Sequence, residues 1–157
     1  MTRLASRWLR AMFMLVLLVL MSCRPAPRVF ISTQQGREVQ VSVEIADSPA
    51  KRELGLQYRR DLKEDEGMLF LFSAPSVQTF WMKNTPLSLD LIFIGSHQRI
   101  VGIIHEATPF STSTLAVSAP SQYVLEVRGG LARRWGIGAG DPVRFEGVPL
   151  EGMKGNP

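Results

Sequence analysis

The chain has 157 residues, enough for one ordinary domain and too little for two. Its formal charge is 18 − 14 = +4, but Arg3, Arg7 and Arg10 fall in a leader without acidic residues, which leaves 15 − 14 = +1 for the rest. That balance argues against a nucleic-acid partner, while one cysteine excludes an internal disulfide and two histidines exclude a Cys/His-rich zinc site.

Residues 1–22 read as a signal peptide. Three arginines precede an unbroken apolar run from Ala11 to Met21, shorter than the roughly 20 residues a spanning helix needs. The run ends at Leu20-Met21-Ser22-Cys23, which resembles a bacterial lipobox. A small residue before cysteine suits signal peptidase II, and the thiol then carries a diacylglycerol. A single anchor helix with Cys23 incidental is the alternative. Residues 23–28 form a lipid-anchored spacer, kept extended by Pro25 and Pro27. Arg24, rather than aspartate, follows the cysteine. By resemblance to Gram-negative lipoprotein sorting, this favours the outer membrane over the inner. The expected location is the periplasmic side of the envelope, with the membrane as a partner through Cys23.

From Val29 onward the pattern is mostly strand. Val39, Val41, Val43 and Ile45 alternate with Gln40, Ser42 and Glu44, the period of a half-buried strand. Ser48-Pro49 then starts a helix, with Ser48 as N-cap and Ala50, Leu54 and Tyr58 as one stripe. Strands are predicted at Gly67 to Phe72, Thr79 to Met82, Leu87 to Ile94, Arg99 to His105 and Gln122 to Val127. A loop rich in Ser, Thr and Ala covers 111–122. A short helix over Gly129 to Trp135 stops at Gly136, and Val143 to Phe145 closes the set. Residues 29–148 thus predict a mainly β domain, a β-sandwich or compact barrel with one or two short helices. The tail over 149–157 is expected to be disordered.

Phe80 to Ile94, FWMKNTPLSLDLIFI, resembles the DUF192 (UPF0127) family. Ala46-Asp47-Ser48-Pro49 through Arg52, Gly55-Leu56 with Arg59, Gly67 to Phe72, Tyr123 to Val127 with Gly129, and Gly136 to Val143 agree with it. The resemblance covers roughly residues 38 to 146. One departure is Gln57, where the family usually has methionine. The resemblance implies a small jelly-roll-like β domain and supplies no activity.

Several side chains are candidates for ligand binding. Asp90 is a carboxylate in a nearly continuous apolar run, on the face of Ser88, Ile92 and Ile94. Such a group is costly unless bonded or paired, so a basic or amide partner among Arg52, Arg59, Lys83 and Asn84 is predicted. It is either a structural ion pair or a cleft carboxylate. Arg52 and Arg59, seven apart, share a helix face with Leu56. They form a solvated face or a pair of guanidinium forks for an anion, or for Asp90 and Glu126. Gly55 between them threatens that shared face. Lys83-Asn84-Thr85-Pro86 is either a turn or a loop presenting Lys83 and Asn84 beside Trp81.

No nucleophile elbow, zinc-protease helix, P-loop or dinucleotide fingerprint is present. No metal or cofactor is expected. Two functions stand open. One is a non-catalytic binding or accessory module for a small polar or carbohydrate-like ligand or an envelope protein. The other is a hydrolase or lyase using Asp90 and Glu126 as paired carboxylates, with Arg52 or Lys83 stabilising charge.

Overall fold

A computed structural model describes residues 25–150. The expected signal peptide, the lipobox-like stretch with Cys23 and the residues beyond Leu150 lie outside the described residues. The chain runs β1 (Arg28–Ser32), β2 (Glu38–Ala46), α1 (Pro49–Leu54), β3 (Glu66–Ser76), β4 (Leu89–Ile94), β5 (Ile100–Ala107), β6 (Ser121–Arg128), α2 (Leu131–Trp135) and β7 (Val143–Glu146).

These strands make one sheet in the order β5-β4-β6-β3-β2-β1-β7. Only β2 and β3 pair in parallel, joined by the crossover that carries α1. The sheet curls. An isolated bridge between Arg99 and Pro142 brings the start of β5 to the approach to β7. Ile100 N–H donates to Asp141 O at 3.0 Å and Val143 N–H donates to Gln98 O at 2.8 Å. The architecture is a curled half-barrel, one sheet bent on itself rather than two stacked ones.

Patterning explains which face goes where. Val39, Val41 and Val43 of β2 are buried and the residues between them exposed, as the sequence alternation requires. They join Val29, Leu69, Ile92, Leu125 and Val143 in a cluster that draws on every strand from one end of the sheet to the other. This is the inside of the curl, capped by Leu131 and Ala132 of α2. A second cluster, with Met68, Phe70, Leu91, Phe93 and Val124, lies on the opposite face under α1 and the 79–87 and 108–117 segments. β4 and β6 are thus buried from both sides, which accounts for the nearly continuous apolar run Leu89 to Ile94, broken only by Asp90.

α1 begins as its sequence dictates. Ser48 Oγ accepts from Lys51 N–H at 3.3 Å and Pro49 occupies the first helical position. It ends one turn earlier than the predicted stripe. Gly55 takes φ +48° and Tyr58 φ +63°, so Tyr58 leaves the helix and is mostly exposed. α2 stops at Gly136, with φ +73°, as predicted. Thr79 to Met82 is not a strand. Phe80 makes a single bridge to Leu115, because the segment lies over the sheet rather than in it.

Candidate functional site

β3 alternates as a strand must, so Met68, Phe70 and Phe72 share the outer face of the sheet. On β6 the same face carries Val124 and Glu126. The register aligns Glu126 with Met68 on one side and Leu91 on the other. A carboxyl group is thereby set between two apolar neighbours in the middle of the sheet. It is 4% exposed. No side chain or backbone N–H of the described residues reaches it. Burial alone pushes its pKa from the ordinary 4.5 up to about 8.

Above Glu126 the outer layer is incomplete. A cavity of about 520 Å³ opens between Phe70 and Phe72 of β3, α1 with its trailing loop, Thr79 to Trp81, Thr85 and Thr114. Glu126 forms part of its wall. Phe80 stands perpendicular to Phe70, with ring centres 5.1 Å apart, and to Phe72 at 6.4 Å. Gly55 permits the close approach of the α1 loop: a Cβ there would meet the Phe70 ring at 3.3 Å. Arg52 Nη1 donates to Asp47 O at 3.0 Å and Leu71 O at 2.9 Å, which holds its guanidinium over the Phe72 ring.

The structure brings together three of the candidates, Arg52, Trp81 and Glu126, around this cavity. Two others stand beside it. Lys83 Nζ lies 5.4 Å from the Trp81 ring centre. Asn84, at φ +55°, donates to Gln57 Oε1 at 3.1 Å and to Tyr58 OH at 2.9 Å. Asn84 therefore ties the loop after α1 to the 83–86 turn and is structural. Arg59 is elsewhere. The helix that was to align it with Arg52 ends at Leu54, and Arg59 instead pairs with Glu44 at 2.6 and 2.5 Å on the surface.

Asp90 overturns its expected pairing. It is fully buried, yet none of Arg52, Arg59, Lys83 and Asn84 bonds to it. Its Oδ1 accepts from Glu106 N–H at 2.7 Å and Gly130 N–H at 3.1 Å, and its Oδ2 accepts from Ala132 N–H at 2.8 Å. Two of these are donors at the start of α2, which has no side-chain cap of its own. The third belongs to a bulge in the β4–β5 pairing, where Glu106 takes φ +50°. Asp90 thus locks α2 and β5 to β4. It also faces the inside of the curl, opposite Val127, whereas Glu126 faces out. The two carboxylates share no cleft, and the paired-carboxylate arrangement is removed.

Phe70, Phe72, Gln57 and the threonines Thr79, Thr85 and Thr114 were not among the candidates. The Phe70–Phe72 alternation was visible, but as a plain buried strand. Nothing local shows that the layer above it is left open.

The DUF192 family profile, described as "Uncharacterized ACR", matches residues 30–145. The chain belongs to the DUF192 family. Among solved structures it is similar to a "putative transcription regulator" from Sinorhizobium meliloti 1021, 39% identical, with a TM-score of 0.75 over 81% of this chain and 99% of that one. It is also similar to a protein of unknown function from Novosphingobium aromaticivorans DSM 12444, 38% identical, TM-score 0.72, covering 74% and 83%. A comparison with curated proteins finds no match.

In this DUF192 domain Gln57 bridges two cavity segments. It accepts from Asn84 and its Nε2 donates to Glu53 O at 2.7 Å. Among the described residues no three acidic, histidine or cysteine side chains converge as metal ligands do. Nor is any described helix long and apolar enough to cross a membrane. What the cavity offers chemically is an aromatic wall, threonine hydroxyls, the Arg52 and Glu53 side chains of α1 and the buried Glu126 carboxyl group awaiting a partner.

Proposed function

We propose that this DUF192 protein is a lipid-anchored envelope module that binds a small polar or carbohydrate-like ligand in the outer-face cavity, without catalysis. One observation carries the binding reading. A buried polar group in a native fold is ordinarily bonded, and Glu126 is not, although it borders a cavity of ligand size. A bound molecule supplies the missing partner. The aromatic wall of Phe70, Phe72, Phe80 and Trp81 then covers its apolar surface. The leader, the lipobox-like Leu20 to Cys23 and the proline spacer support the envelope location.

The name carried by the Sinorhizobium protein does not redirect this reading toward nucleic acid. Residues 25–150 hold 13 basic and 13 acidic side chains, 13 − 13 = 0, so they carry no excess positive charge toward a run of phosphates. A thermal-shift screen of sugars, amino acids and amines on the full chain in a polyoxyethylene detergent tests binding. A ligand at about 100 times its Kd stabilises by about 2.7 kcal/mol, an easily read shift that Glu126→Gln should remove. A screen without hits overturns the reading. Intact mass of the membrane fraction, with Cys23→Ser as control, tests the anchor, and an unmodified full-length chain would defeat it.

A further inference from the structure

We propose that the cavity selects a ligand bearing a protonated or quaternary amine, its ammonium group set against the Glu126 carboxylate and the aromatic wall. This rests on the binding reading above and names the chemistry of the ligand.

The cavity contains an acid that the protein leaves without a counter-charge. Met68 and Leu91 flank Glu126 on the neighbouring strands. The segments above it contribute Thr79, Thr85 and Thr114, and α1 contributes the charged pair Arg52 and Glu53. Arg52 keeps its charge but bonds to Asp47 O and Leu71 O rather than to Glu126. Lys83 does not line the cavity. No cation lowers the pKa of Glu126, which responds to burial alone.

The aromatic wall has the matching preference. Two of its rings already hold cations: Arg52 Cζ lies 5.2 Å from the Phe72 ring centre, and Lys83 Nζ lies 5.4 Å from that of Trp81. Both fall within the roughly 6 Å over which a ring quadrupole attracts a positive charge. An ammonium entering the cavity finds the π surface that Arg52 and Lys83 leave free and the Glu126 carboxyl group in the same lining. A neutral polyol uses the carboxyl group only as a hydrogen-bonding acid and gains nothing from that field.

A proton linkage distinguishes the two. Unliganded Glu126 is protonated near neutral pH. An ammonium binds its ionised form, so binding expels a proton, and affinity rises with pH up to about 8. A neutral ligand bound to the protonated acid loses affinity over the same range.

The test is titration calorimetry of the full chain, in a polyoxyethylene detergent, with choline chloride and separately with glucose, at about pH 6 and about pH 8. Choline does not titrate in this range, so the change reports the protein. The expected result is a choline Kd about fifty-fold lower at the higher pH. Glu126→Gln should flatten that dependence and weaken choline binding by about tenfold at the higher pH. Trp81→Ala, at a 44% exposed position that does not hold the core, should weaken it several-fold. Choline binding that ignores pH or survives Glu126→Gln overturns the proposal. So does Glu126-dependent binding of glucose without choline, an outcome that leaves the binding reading standing. If no probe or screen compound binds, both fall.

Discussion

Asp90 on β4 and Glu126 on β6 are near neighbours: Asp90 aligns with Val127, and Leu91, the next residue, aligns with Glu126. Both are carboxylates, both are almost wholly out of water, and both come from apolar strands. Asp90 faces the inside of the curl and receives three backbone N–H groups. Glu126 faces the outer layer and receives none from the described residues. The protein solves the cost of burial for the first by hydrogen bonding. For the second the charge is suppressed instead, with the pKa pushed up to about 8. A buried acid that is fully bonded holds the fold. A buried acid left bare beside a cavity is a place for something else to bind.

The largest effect that would test this contrast is a pH dependence. Because Glu126 holds its proton more tightly when folded, its contribution favours the fold at low pH and is lost as pH rises from 4.5 to about 8. Glu126→Gln, which cannot ionise, escapes that loss. Chemical denaturation should show the variant gaining on wild type by on the order of 4–5 kcal/mol across that interval. A constant difference between the two proteins would break the comparison.

Asp90→Asn should act in the opposite sense. The amide nitrogen cannot accept a hydrogen bond, and it sets an N–H against the donors of α2 or of the Glu106 bulge. The expected loss is about 3 kcal/mol in urea unfolding, with ligand binding unchanged in the protein that remains folded. A variant that keeps its stability but loses binding would reverse the roles given to the two carboxylates.

Arg52→Ala removes two bonds to backbone carbonyls and the cover over Phe72, so it should cost about 1–2 kcal/mol. It should leave the pH profile of Glu126 in place, since Arg52 plays no part in that shift. Arg59→Ala is the smallest. Its pair with Glu44 is exposed on both sides, and the thermal midpoint should report less than about 0.5 kcal/mol.

The elements whose cause is local were legible in the chain. The alternation Val39 to Ile45, the Ser48-Pro49 cap and the Gly136 stop each act within a few residues, and each appears where it was expected. Asp90 was legible as an anomaly, an acid in the apolar run Leu87 to Ile94. Its partners were not, because the donors come from residues 106, 130 and 132 and are backbone groups that carry no mark in a sequence. Arg52 and Arg59 do not share a helix face, since a two-turn helix was needed to align them and Gly55, the threat visible between them, ends it first.

By itself, then, the sequence determined a mainly β domain of DUF192 type, the faces of most strands, the Ser48 start of α1 and the Gly136 stop of α2. Period-two burial, capping and turn chemistry are short-range effects, and the residues responsible lie side by side. Only the tertiary structure decided that the sheet curls and that Asp90 and Glu126 face opposite ways. It also decided that α1 and the 79–85 segment leave a cavity over Glu126 instead of closing on it. Those outcomes depend on strand register and on how loops distant in sequence share one surface. They are set by packing among residues that no local pattern links.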